Sequence, residues 1–489
     1  MNRFMKAMGD GNHTLTENGA LTNKSTFNAI VDFFFHGAAL RSRPNEAVNL
    51  FQQAFDEDPT QALRILFYIR DIRGGQGERN IFRTVLHSIA TSNSSNAEKI
   101  QAWLNKNIHL IPVYGRWDDL FIFMGTVLEN SAISLIKETL EQDRVVAHPT
   151  LLAKWLPSEN TSSEKTRKLA SHIRQKLNLT SRQYRKMLST LRHTIKIVET
   201  NLTNKDYTFD YAQVPSKASL RYRKAFSRND NARYLAYLEA VNKDEKKINT
   251  STLYPYDLLH TLWNGNDTRT VDTMWKNLPD YVDNLQGLVV ADTSGSMYGR
   301  PMEVSVSLAM YIAERNKNEA WKDYFISFSE RPMFHKITGN NLAQRAKSVQ
   351  LGDVANTNIQ AVFDLILARA LGADGLQRVP QEDMPKILLI ISDMEFDSCA
   401  CGNDGRHFTN FEMIQKKYKQ AGYEMPTLVF WNVNSRNTQT PVTINDKGVV
   451  LISGCSPVVL KYALGQITTP MQMILNVTEN DRYKNIKFE

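Results

Sequence analysis

Over the first ~280 residues, apolar side chains recur at every third or fourth position. "NEAVNLFQQAFDED", "PTQALRILFYIRDI" and "NIFRTVLHSIATSN" each carry this spacing between short polar breaks, and predict one helix after another. The pattern is plainest in "LNLTSRQYRKMLSTLRHTIKIVE". There Thr180 and Gln183 form a capping box. Tyr184, Leu188, Leu191, Ile195 and Val198 fall on one face, and Arg182, Arg185, Lys186, Arg192 and Lys196 on the opposite one. No strict repeat is present, but successive helical pairs predict a degenerate α-solenoid held by neighbour-to-neighbour packing.

From about residue 281 the pattern changes. The short apolar runs "LQGLVV", "DYFISF", "KILLIIS", "TLVFWNV" and "GVVLIS" alternate with the helical stretches "VSVSLAMYIAERN", "NIQAVFDLILARAL" and "NFEMIQKKYKQAG". Strands alternating with helices imply βαβ units and a mainly parallel sheet covered on both faces. The expected organisation is a helical domain over 1–280, an α/β domain over 281–465 and a C-terminal tail over 466–489. Two domains suit 489 residues.

In a parallel sheet, ligands sit outside the carboxyl ends of the strands. "GLVVADTSGSMYG" (287–299) runs a strand into such an end and places Asp292, Ser294 and Ser296 at alternate positions of a turn. Thr357, in "VANTNIQAVFDLIL", precedes a helix, and Asp393, in "SDMEFD", follows the strand "KILLIIS". All five project from one edge. A carboxylate pair with hydroxyls is a hard oxygen donor set suited to Mg²⁺ or another small divalent cation. The plainer alternative is that these groups only cap strand ends and the helices that follow.

This combination resembles the metal-ion-dependent adhesion site of von Willebrand factor A domains, and the order of elements is similar too. The resemblance assigns Asp292, Ser294, Ser296, Thr357 and Asp393 to the cation, and implies one coordination position left for an acidic group of a protein partner. A second resemblance covers nearly the whole chain. "FYIRDIRGGQGERNIF", "IPVYGRWDDLFIF", "LLAKWLPSEN", "YRKMLSTLR", "VPSKASLRYRKAF" and "LYPYDLL" occur in this order. They resemble a family of uncharacterised proteins that is distantly similar to the Ro autoantigen. That similarity implies a ring of HEAT-like helical repeats (the TROVE module), a von Willebrand A domain, and binding of small structured or single-stranded RNA.

Charge supports a polyanion partner. The net charge is +8, yet residues 151–250 hold 21 Lys/Arg against 9 Asp/Glu, a local excess of +12. Between Lys165 and Lys196 lie ten basic residues and no acid: Lys165, Arg167, Lys168, Arg174, Lys176, Arg182, Arg185, Lys186, Arg192 and Lys196. Lys217, Arg221, Arg223, Lys224 and Arg228 extend the segment, with Tyr222 and Phe226 interleaved. Solvated helix faces usually mix both signs, so this segment is the candidate RNA surface, with the two aromatics as stacking platforms or core.

Other chemistry finds less support. "RDIRGGQGER" lacks the Gly-Lys-Ser/Thr ending of a phosphate loop. Arg70, Asp71, Arg73, Glu78 and Arg79 read instead as ion pairs around an interhelical turn, with Asp118 and Asp119 as pairing or capping groups and Trp117 as core. Cys399, Cys401 and His407 have no usual zinc spacing. Glu395 and Asp397 read as supports of the cation site, Glu395 alternatively as a helix cap. Ser294 and Ser296 have no evident histidine nearby, His407 being the one candidate in that loop, so no enzyme is expected. No apolar run has the length of a membrane span or a signal peptide, and three cysteines give no disulfide framework, so a cytoplasmic protein is expected. The expectation is an RNA-binding protein with a divalent-cation adhesion site. The alternative is a metal-dependent interaction scaffold that binds no RNA.

Overall fold

The computed structural model describes residues 11–489 except 196, 266–267, 283–284, 329–330, 350–357, 376, 398–408 and 464–468. The chain forms two compact units. The first takes residues up to Ile69, then Gly74–Ile81 and Thr250–Lys487; the second takes Arg70–Arg73, Phe82–Asn249 and Phe488–Glu489. Residues up to Ile69, Gly74–Ile81 and those from Thr250 to Lys487 thus fall in one unit with the six-stranded sheet.

The first unit is built on β-structure. A hairpin of β1 (His13–Leu15) and β2 (Leu21–Asn23) stands apart from a six-stranded sheet. The sheet strands are β3 (Gly287–Asp292), β4 (Tyr324–Phe328), β5 (Met333–Lys336), β6 (Ile387–Ser392), β7 (Thr427–Asn432) and β8 (Val449–Ser453), in the order β5-β4-β3-β6-β7-β8. All neighbours are parallel except the β4–β5 pair. The mixed, mainly parallel sheet is consistent with a von Willebrand A-like domain. β3 and β8 are buried at every position, in keeping with their uninterrupted apolar sequences. Gly287 opens β3 because a Cβ there would lie 2.6 Å from the Ile387 carbonyl oxygen of β6.

Helices cover the sheet. Arg300–Arg315 starts with a proline in its first turn and buries Val304 through Ala313 against β3, β4 and β6. Asn410–Ala421 begins with a Thr409–Glu412 capping box and ends at Gly422, whose φ of +74° is left-handed. Ala29–Gly37 packs on β8, and the Ser453 hydroxyl donates to the Phe34 carbonyl at 2.7 Å. The expected tail is part of this unit: Pro470–Thr478 also packs on β8, and Tyr483 is fully buried against Tyr68.

The second unit is helical. It includes Ser95–Asn107, Glu129–Asp143, Glu164–Lys176, Ser181–Ile195, Ser216–Asn229 and Asn231–Asn242. Its polar core is an ion cluster in which Arg70 donates from Nε to Asp119 Oδ2 (2.8 Å) and Arg83 from Nε to Asp119 Oδ1 (2.6 Å), with ion-pair contacts of Arg70 Nη2 to Asp119 (2.7 Å) and Arg83 Nη2 to Asp118 (2.7 Å). The pairing role expected for Arg70, Asp118 and Asp119 is thus present, whereas Trp117 is half-buried rather than core. Among the described residues no helix is long and apolar enough to cross a membrane.

Candidate functional site

The chain leaves β3 for β4 on one side and later returns through β6 on the other, so the carboxyl ends of β3 and β6 flank the switch point of the sheet. Asp292 ends β3 and Asp393 follows β6 there, and the register sets Ala291 beside Ile391. Thr293 is tied to β4: both its backbone N–H (2.9 Å) and its hydroxyl (3.1 Å) donate to the Phe328 carbonyl. Asp292 Oδ1 accepts the Ser294 N–H at 2.9 Å, closing a local turn that brings the Ser294 and Ser296 hydroxyls to 3.1 Å.

Asp292 is fully buried, and Asp393 is nearly so. Asp393 Oδ1 accepts the Glu395 N–H at 3.3 Å, and Oδ2 is buried with no hydrogen-bond partner among the described residues. Burial, then the charge of Asp393, holds the Asp292 carboxyl well above the usual carboxylate range. Burial raises Asp393 too, opposed by the Ser296 hydroxyl and the more distant Arg436. Two dehydrated carboxylates beside two hydroxyls, with one carboxylate oxygen unsatisfied, fit a hard divalent cation. No group of three or more His, Cys, Asp or Glu side chains suited to a metal gathers among the described residues, so such a site would rest on the hydroxyls as well.

Thr357 lies outside the described residues, as do Cys399, Cys401 and His407. The remaining four expected cation residues stand together at the β3–β6 edge. Sequence reading missed Ser392, whose hydroxyl donates to Asp292 Oδ2 at 2.5 Å. The described helix that follows, Asn410–Ala421, is capped by Thr409 and not by Glu395. Glu395 Oε1 accepts from Asn437 (2.9 Å) and Oε2 from the Glu17 backbone (2.8 Å), holding the β1–β2 hairpin against the strand end. Asp397 bridges Gly19 of the same hairpin. Cys455 is a small buried residue, its thiol pushed up by burial. A Ser–His pair does occur, Ser327 and His335 at 2.5 Å, with both side chains buried and no carboxylate bonded to the ring among the described residues.

The basic segment divides into spent and unspent cations. Thr180 and Gln183 make the expected capping box, with bonds of 2.8 and 3.3 Å. The helix ends at Ile195, and Val198 begins a separate one, so the expected continuous face to Val198 is broken. Arg192 is not on the open face expected for it. It shares a face with Tyr184 and Leu188 through i+4 spacing, and its guanidinium donates to Ala153 O (2.8 Å), Leu156 O (2.7 Å) and Ser158 Oγ (2.8 Å). Arg174 is held by Glu159 and Leu179 O, Lys176 by Glu129, Lys168 by Glu164, Arg167 by Thr161 O and Ser162 O, and Arg223 by Leu220 O. Lys217 is exposed, and Lys196 lies outside the described residues.

Lys165, Arg182, Arg185, Lys186, Arg221, Lys224 and Arg228 are exposed and have no ion-pair partner among the described residues. Cavities of about 440 and 410 Å³ flank the Ser181–Ile195 helix, the first lined by Lys186 and Gln183, the second by Arg185 and His193. Phe226 is fully buried among Phe209, Tyr211 and Tyr234, so it is core and no stacking platform. Tyr222 is half-buried, with its hydroxyl on Glu199 at 3.4 Å.

Comparison with known proteins places these features in a family. Residues 286–487 match a domain of unknown function (DUF7788), and residues 16–93 and 141–287 match another (DUF2828). The chain is 30% identical over 520 residues to Uncharacterized protein L728 of Acanthamoeba polyphaga mimivirus, covering 96% of this chain and 87% of the viral one. The chain belongs to the family of that viral protein. The first match takes in both β3 and β6 and therefore the whole Asp292–Asp393 edge, while the second takes in the seven unspent cations.

Proposed function

We propose that the protein binds RNA through the second unit and holds a divalent cation, Mg²⁺ or a similar ion, at the β3–β6 edge for contact with an acidic partner. The observation that carries the RNA reading is the set of seven exposed cations between Lys165 and Arg228 with no ion-pair partner among the described residues. Exposed Lys and Arg without carboxylate partners keep their full charge for phosphates, and each phosphate neutralised releases condensed counterions. The helical unit would serve as a Ro-like, TROVE-type solenoid presenting that surface to small structured or single-stranded RNA in the cytoplasm.

Asp292, Ser294, Ser296 and Asp393 would hold the cation, with Thr357 as the fifth group that the resemblance assigns. The bound ion would supply a Lewis-acidic position for an outside carboxylate. Asp292 supplies charge, Ser392 fixes its orientation, and the Ser294–Ser296 turn presents the hydroxyls. The proposed role is binding without turnover.

Purification of the full chain with and without nuclease tests this reading. RNA recovered at a stoichiometric ratio, and lost from a variant with Arg182, Arg185 and Lys186 changed to Ala, is the expected result. Nucleic-acid-free protein that still shows cation-dependent capture of acidic peptides would favour the interaction scaffold instead.

A further inference from the structure

The β1–β2 hairpin is pinned beside the β3–β6 edge by a set of hydrogen bonds. Besides the Glu17 N–H on Glu395, the Thr16 hydroxyl donates to Phe396 O (2.7 Å) and Asn18 Nδ2 to Glu395 O (2.7 Å). Gln439 donates to Leu15 O (2.8 Å), and Thr22 Oγ1 to Thr440 O (2.8 Å). The tip of the hairpin therefore rides on the segment that begins two residues after Asp393. Its acidic residue, Glu17, is paired with Arg436 at 2.6 Å, and their side chains are 42% and 39% exposed.

We propose that Glu17 is an internal carboxylate for the cation site, so that the hairpin closes over the β3–β6 edge when the cation binds. This rests on the cation reading above. An exposed ion pair such as Glu17–Arg436 contributes little and exchanges readily, whereas a dehydrated divalent cation attracts a carboxylate strongly. Glu17 already stands beside the site: its backbone N–H donates to the carboxylate of Glu395, two residues after Asp393. Asp393 Oδ2, buried and without a hydrogen bond among the described residues, marks the point to which a cation would draw an added ligand. An acidic partner would then compete with Glu17, and its binding would release the hairpin.

The test uses the full chain, titrated with Mg²⁺ and with Mn²⁺ by calorimetry, and hydrogen exchange of the amides of residues 13–23 with and without metal. In the wild type the cation should slow exchange across the hairpin. Glu17→Gln should weaken cation affinity on the order of tenfold and abolish that slowing, while exchange of its metal-free hairpin stays at the wild-type rate. Weakened affinity without any hairpin response would mean that Glu17 acts only through space, and would overturn the proposal. Unchanged affinity in Glu17→Gln, with binding still abolished by Asp292→Ala, would overturn it while leaving the cation reading intact. A wild type that binds neither metal would overturn both.

Discussion

Ser392 and Asp292, on neighbouring parallel strands, share a buried hydrogen bond of 2.5 Å at the carboxyl edge of the sheet. The bond fixes one oxygen of a carboxylate that has no solvent, and leaves the other to organise the Ser294 turn. Replacing Ser392 by Ala strands a buried acceptor. The expected loss is about 1–3 kcal/mol in urea unfolding. A loss below about 0.5 kcal/mol would mean that Asp292 is already protonated or rearranged.

Asp119 anchors the second unit. It is fully buried between Arg70 and Arg83, and Arg70 is 1% exposed. Asp119→Ala leaves Arg70 buried without its counter-ion, which costs about 3–5 kcal/mol. Denaturant melts followed by tyrosine and tryptophan fluorescence should show this loss.

His36 gives the first unit an acid-sensitive term. Its ring is fully buried, Nδ1 lies 2.8 Å from Ser435 Oγ, and Nε2 has no partner among the described residues. Burial lowers its pKa from 6.5 to about 3. The unfolded state then binds the extra proton between those values, so the contribution is present above pH 6.5 and is lost as pH falls. Asp32, raised by burial to about 6, acts in the opposite sense as pH rises, so the His36 term is read as a difference. The stability of wild type minus that of His36→Gln should fall by about 2 kcal/mol between neutrality and roughly pH 5. A flat difference would contradict the buried neutral ring.

Arg192 and Arg185 sit on one helix and should behave oppositely. Arg192→Ala removes three donors from carbonyl and hydroxyl oxygens, with an expected cost of about 1–3 kcal/mol. Arg185→Ala, at an exposed position, should change stability by less than about 0.5 kcal/mol. Paired thermal melts compare the two directly.

Much of the sheet was legible because β3, β6, β7 and β8 are buried on both faces, and such strands read as unbroken apolar runs. Asp292, Ser294, Ser296 and Asp393 were legible because they follow directly on two of those runs, which puts them at the carboxyl edge of the sheet. The hairpin was not: its strands are three residues each, with no apolar run to announce them. β5 hid similarly, since only His335 of "MFHK" is buried. Ser392 was invisible because its partner comes from a strand distant in sequence. Arg192 was misplaced because its long side chain reaches back over the packed face, where a count of charges sees only a cation.

The salt dependence of single-stranded RNA binding tests the central claim most directly. For the wild type, log affinity should fall linearly with log salt, by about 0.7 for each phosphate contacted. Changing Arg182, Arg185 and Lys186 together to Ala should weaken binding and flatten that slope by roughly 2. An unaltered affinity and slope in the triple variant would contradict the account, because the most concentrated group of cations without an ion-pair partner among the described residues would then be a solvated face.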